Sequence, residues 1–253
     1  MSASGICCGL YRGTFYLKDL SSPNNPLLKV GNAEATITQE MTDVTQENFE
    51  SLGGNACKVS YPSSVGIDFT LHCTSPENLA LAFLGRAYQK DAAAVAGEQH
   101  VVNGLGELIP FESVPNKANP IVVKSGATEY QPDVDYTVTN AGIIILPTST
   151  IPLGSTIEVS YTHGENWVVD SQVVGQKTYL VVLDGVNVGD DGGERPVVLK
   201  AWRVRMSPTD SFTLIASEFA SINVSGEILR DDSKVSGSKF MKVEFGNDQA
   251  GQY

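Results

Sequence analysis

A chain of 253 residues with 17 basic and 29 acidic side chains, a formal net charge of −12, is poorly suited to holding nucleic acid by its phosphates. Apolar residues make up 42% of it, which excludes wholesale disorder and is enough for a sizeable core, one domain with an insertion being a comfortable fit. There is no basic leader with an apolar stretch behind it and no run of about 18 apolar residues, so the expectation is a chain made in a reducing cytoplasm with no membrane anchor.

Residues 1–9 read as a flexible arm. Leu10 to Lys18 alternates around Tyr11, Thr14, Phe15 and Tyr16, a first strand, and Ser21 to Pro26 is a turn by composition. Asn32 to Glu40 alternates cleanly, with Ala33, Ala35 and Ile37 on one face and Glu34, Thr36, Thr38 and Glu40 on the other. Met41 to Ser63 has no steady period, and a connection of that length carrying Phe49, Leu52 and Tyr61 is expected to dock onto something. Val65 to Cys73 returns as a strand with Ile67, Phe69 and Leu71 inward.

A helix is expected over Ser75–Tyr88. Ser75 is a good N-cap, Pro76 suits N1, and Glu77 places a negative charge at the positive end of the helix dipole. Leu79, Phe83 and Ala87, with Ala80 and Leu84, give it one apolar face, which in a chain otherwise all β would plug the open side of a sandwich or barrel. Asp91 to Gly97 reads as an Ala-rich exit. Composition then shifts: residues 99–164 read as a small inserted antiparallel module, with strands at Ile121–Lys124, Tyr136–Val138, Gly142–Ile145 and Ser155–Thr162. The core is thus expected from 1–98 and 165–253. It resumes with strands at Thr178–Asn187, Pro196–Met206, Ser221–Leu229 and Val235–Phe245, while Met206 to Phe219 fits strand or loop.

The residues carry no catalytic signature. His72, His100 and His163 are scattered, and there is no nucleophile elbow, phosphate loop or paired-histidine metal motif. Asp190-Asp191-Gly192-Gly193 reads as a turn rather than a calcium loop. Cys7, Cys8, Cys57 and Cys73 form neither a Cys-x-x-Cys pair nor a disulfide framework. No cofactor and no enzymatic activity are expected. Arg203 and Arg205, on one strand face with Lys200 on the other, need partners within the subunit or across an interface.

The strand–long loop–strand–helix unit is one of two features that bring a family into view. The other is the run Ile121 to His163, with Gly126–Tyr130, Asp135-Tyr136, Gly142-Ile143, Leu146-Pro147 and Val159–Thr162. Together they make the chain resemble the major tail tube proteins of long-tailed bacteriophages, with an inserted β module. The resemblance implies a mainly β protein: a β-sandwich or partial-barrel core flanked by one helix, with a small Ig-like insert on the outside. It implies rings, six subunits each, that stack into a hollow tube through which DNA passes into the host. It also implies virion localisation, self-contacts, and contacts with tape measure, terminator and distal tail proteins. Carried onto this sequence, Glu34, Glu40 and Glu227 would face the lumen without binding DNA specifically. Phe49, Leu52, Gly53 and Gly54 would belong to the ring-to-ring loop, and Arg203 and Arg205 would pair between subunits. A carbohydrate- or receptor-binding β module of a tail tip or adhesin is the alternative from another class. A hydrolase on a β scaffold is a third.

Overall fold

The computed structural model describes residues 9–47, 54–189, 192–215 and 217–246. In chain order it forms β1 (Gly9–Asp19), β2 (Leu28–Gly31), β3 (Ala33–Glu47), β4 (Asn55–Leu71), the helix α1 (Pro76–Ala82) and β5 (Arg86–Lys90). Next come β6 (Ala93–Val101), β7 (Leu108–Pro110), β8 (Val122–Ser125), β9 (Thr128–Tyr130), β10 (Tyr136–Val138), β11 (Gly142–Ile145), β12 (Thr156–His163) and β13 (Asn166–Asp170). The chain closes with β14 (Thr178–Gly189), β15 (Glu194–Met206), β16 (Ile222–Ile228) and β17 (Met241–Phe245). The protein is mainly β. It divides into two units, one from the two ends of the chain, up to Ala87 and from Val169, and one from Tyr88 to Val168. Residues 88–98 and 165–168 therefore belong to the second unit. The Ala-rich exit is mostly strand, because β6 pairs along the length of β12.

In the first unit one antiparallel sheet runs in the order β2-β1-β14-β15-β16-β4-β3, with β17 also on β15. Its two ends are joined by a single residue. Gly31 pairs with Phe15, Ala33 pairs with Leu71, and Asn32 between them accepts a hydrogen bond from the His72 N–H at 2.9 Å. Two residues span at most about 7 Å, so the sheet has to roll until its ends meet. Gly31 makes the corner at φ +91°, where a Cβ would also press on the Cys73 side chain at 3.0 Å. The rolled sheet encloses Ile67, Phe69 and Leu71 of β4 with Val204, Met206, Ile222, Val224 and Ile228. Phe15 meets Phe69 edge to face across it at 5.2 Å. The three β4 residues expected inward are all in this core.

β15 carries a bulge. Leu199 and Ala201 are buried, and so are Val204 and Met206, so one extra residue lies between the two pairs. Lys200 accordingly shares the outward side with Arg203 and Arg205, instead of opposing them. A strict period of two cannot reveal that change of phase.

The helix is half the expected length. Ser75 caps it, its Oγ accepting from the Asn78 N–H at 3.2 Å, and Pro76 opens it. It stops at Phe83 because Leu84 turns left-handed (φ +48°) and Gly85 N–H bonds back to the Ala80 carbonyl at 2.7 Å, a Schellman closure. Gly85 is needed one place later than a usual C′ glycine: a Cβ there would lie 2.3 Å from the Asp170 carbonyl oxygen. Asn78, inside the turn, is buried and donates from Nδ2 to the carbonyls of Val30 and Cys73, both at 2.8 Å. It ties α1 to the strand ends. Asn78→Ala leaves both carbonyls without that donor and is expected to cost about 1–3 kcal/mol in chemical denaturation. An unchanged midpoint would remove Asn78 from the list of structural ties.

The stretch read as a connection without period is a β arm. β3 and β4 continue past the rolled sheet through Met41↔Pro62, Val44↔Val59 and Gln46↔Cys57, after a register shift at Glu40/Met41. Phe49, Leu52 and Gly53 lie outside the described residues. Gly54 is exposed at φ +105°.

The second unit is a small two-sheet sandwich, with β6-β12-β8-β9 in one sheet and β10-β11-β7 in the other. Its core takes Val123, Ile157 and Val159 from the first sheet and Tyr136, Ile143 and Ile145 from the second. Tyr130 and Tyr161 are buried with them. β5 pairs with β13, so the chain enters and leaves the module on neighbouring strands.

Candidate functional site

Alternation around the buried residues of β3, β4 and β16 defines one outward polar face. Register places Glu34, Thr70 and Asn223 in one row, Thr36, Asp68 and Ser225 in the next, and Thr38, Gly66 and Glu227 in a third. Glu40 faces Ser64, whose hydroxyl donates to its carboxylate at 3.0 Å. The structure thus brings Glu34, Glu40 and Glu227 onto one face and adds Asp68, which sequence reasoning missed although it alternates with Ile67 and Phe69. His72 stands beside Glu34, Nε2 to Oε1 3.4 Å. Arg205 lies opposite Glu227 in the ladder. Arg203 and Arg205 are exposed, and among the described residues neither forms an ion pair within 4 Å. Arg203 lies near enough to Asp231 for its charge to help lower that carboxyl's pKa.

The outer edge of β3 is open over its 15 residues, since among the described strands only β4 pairs with it. An edge this long is a template for another chain. Past Glu40 the arm has two unlike faces. On one, Lys58 Nζ meets Asp43 Oδ2 at 2.7 Å and the Ser60 hydroxyl donates to Asp43 Oδ1 at 2.6 Å. These bonds hold the Asp43 carboxyl below its ordinary range, Lys58 contributing most. On the other, Val44 sits opposite Val59, with Tyr61 beyond; at exposures of 55%, 62% and 48% they stand largely open among the described residues. The alternation of Cys57, Val59 and Tyr61 with Lys58 and Ser60 was the sequence signal for this arm.

Register also separates two ends of the first unit. Ala33, Leu71, Ile222, Met206, Tyr179 and Asp19 mark one end; Gly9, Gly189, Phe245 and the arm mark the other. At the first end an open groove of about 690 Å³ runs beside α1, lined by Leu17, Leu28, Ala80, Leu81, Leu84 and Tyr179 among others. On its rim Lys177 Nζ bonds Asp19 Oδ2 at 2.7 Å. Burial pushes the Asp19 carboxyl up, but the hydrogen bonds from Lys177 and Ser21 outweigh it and the net shift is downward. Burial and the Asp19 charge push the Tyr179 phenol up to about 12.

The second unit holds the densest polar network. Glu98 accepts from the Tyr161 hydroxyl at 2.7 Å and the Glu112 N–H at 2.9 Å, and contacts His100 Nε2 at 2.8 Å. Phe111 stacks on Tyr161 and His100. Burial and the bond to Glu98 raise the Tyr161 phenol to about 12, so it stays a donor. Lys90 donates to the buried Ser113 hydroxyl at 2.7 Å and so ties that loop down. Among the described residues no three His, Cys, Asp or Glu side chains converge as metal ligands would.

Asp135 is the module's buried carboxylate. Burial acts to raise its pKa, but N–H donors from Thr150 and Gln131 at 2.7 and 2.9 Å, with the Thr150 hydroxyl at 2.8 Å, pull it below the ordinary value. A depressed folded pKa means stabilisation that is present above the unfolded value, about 4, and is lost as pH falls through the lower folded value. Asp135→Asn is expected to lower stability by about 1–3 kcal/mol at pH 7, with the deficit shrinking as the pH drops through that window. Denaturation at pH 7 and pH 3 checks this, and an equal deficit at both would contradict it.

A family model described as "Protein of unknown function UCP028589" matches residues 10–244 of the chain. No curated protein matches it.

Proposed function

We propose, for a chain that belongs to that family of proteins of unknown function, a structural role without enzymatic activity: the subunit of a bacteriophage tail tube. Copies polymerise as stacked rings, six to a ring, into a hollow virion tube that delivers DNA without binding it specifically. The other tail proteins, tape measure, terminator and distal tail, contact its ends. The observation that carries this is the open edge of β3 from Ala33 to Glu40, before the arm, whose outward side chains belong to an acidic, polar face. An edge of that length is kept from uncontrolled aggregation when identical copies pair along it, and ring closure makes the pairing finite. On this face Glu34, Glu40, Asp68 and Glu227 repel the phosphates of DNA, and Arg205, opposite Glu227 in the ladder, is the cation a neighbouring subunit's carboxylate has to take up. Arg203 and Arg205, which form no ion pair within 4 Å among the described residues, supply charges for a neighbouring subunit.

A receptor- or glycan-binding module is the second reading: Tyr130, Tyr136 and Tyr161 are buried in the second unit's core, and the exposed rings there are those of Trp167 and Tyr88. Negative-stain electron microscopy of the concentrated pure protein tests the proposal. Rings or hollow tubes of uniform diameter are expected. Monomers that persist even with tail-initiator proteins present would overturn it.

A further inference from the structure

We propose that the groove beside α1 is the receptor for the β arm of a second copy, with Tyr61 and Val59 seated against Leu81, Leu84 and Leu28. The proposal rests on the tube reading and deepens it by naming both halves of the contact between rings. Its grounds are in the first unit itself. Groove and arm are apolar surfaces left uncovered at opposite ends of the same strands. From Ala33, at the groove end, to Val44 is eleven residues of strand, about 36 Å. The arm therefore lies well away from its own groove, and the occupant is another chain.

Size and charge agree. A pocket of about 690 Å³ is in the range that encloses a drug-sized group, enough for a tyrosine and a valine side chain. Lys58 is paired with Asp43 on the arm and Lys177 with Asp19 on the groove, and Glu77 and Lys29, which also line the groove, are opposite in charge. Leu28 is 57% exposed at the groove, where a leucine on an edge strand is otherwise a liability. One such contact is weak: Tyr61 would bury about 150–250 Å², against roughly 800 Å² per partner in a stable complex. Free chains should therefore not pair tightly, while a ring presenting several arms to several grooves gains from avidity. Because arm and groove are different surfaces, the contact is heterologous and continues as an open filament.

The test uses the thiol already on the arm. Cys57 is free and exposed, on the same strand face as Val59 and Tyr61. In a chain with Cys7→Ser and Cys8→Ser, Leu28→Cys is added at the groove and the protein is assembled and mildly oxidised. A ladder of covalent multimers rising past dimer on a non-reducing gel is the expected result, abolished by adding Cys57→Ser. Leu81→Glu is expected to leave rings that do not stack, at least a tenfold drop in pelletable tube. Tubes that form normally yet give no Cys57-dependent ladder, and that tolerate Leu81→Glu, would overturn the docking while leaving the tube reading in place. A protein that forms neither rings nor tubes with tail-initiator proteins present would overturn the tube reading and the docking with it.

Discussion

Glu34→Lys, Glu40→Lys and Glu227→Lys together are expected to turn a protein indifferent to DNA into one that binds it. The three side chains are exposed and on one face, and none lies in the core, so the fold is expected to persist. Each substitution replaces a negative charge with a positive one on the surface assigned to the lumen, and a ring multiplies the change by its number of subunits. Binding should weaken steeply with salt, with a log–log slope of about −0.9 for each phosphate neutralised. Electrophoretic mobility shift across a salt series is the direct readout, and phage carrying the three changes should eject DNA slowly. Ejection at the normal rate, with no mobility shift at low salt, would remove this face from the lumen.

The second large effect is on stacking. Val59→Asp with Tyr61→Ser alters two side chains that are 62% and 48% exposed on the arm, outside the rolled core. Surface changes of this kind alter stability by about 0.5 kcal/mol or less. The apolar face of the arm nevertheless disappears, so the expected outcome is a normal denaturation midpoint, intact rings and no long tubes. Ring formation survives because the ring edge, Ala33 to Glu40, is untouched. Tubes of ordinary length from this variant would show that the arm is dispensable.

Much of the fold was legible because burial writes a period of two into strands. Ile67, Phe69 and Leu71 were placed inward from alternation, and Glu34 and Glu40 outward by the same pattern. The features that escaped are those a periodic pattern does not encode. Leu84 is an excellent helix former, and only its place beside Gly85, packed on the Asp170 carbonyl, explains its left-handed turn. The bulge in β15 shifts phase between Ala201 and Val204, which put Lys200 on the wrong side. The arm is only half legible, because Met41 to Gln46 shows no clean alternation by itself although Cys57 to Tyr61 on the facing strand does. Asn78 resembles an ordinary polar helix residue until the two carbonyls it bonds are seen. Of the candidate site, the three glutamates were recoverable as a face. Asp68 and the groove depend on which strands are neighbours, and that is settled by the one-residue corner at Asn32.

The pairing of β5 with β13 has a consequence for how such a protein can change over time. Where a chain departs and returns through adjacent strands, the ends are already together, and whatever hangs between them adds little loop-closure entropy to folding. Residues 88–168 are thus an insertion whose two ends are already held together. A different module, or a short turn from Ala87 to Val169, could fill the same place while the rolled sheet, its edge and its arm keep their geometry. The unit built on the rolled sheet and the unit of residues 88–168 can therefore change in sequence independently of one another.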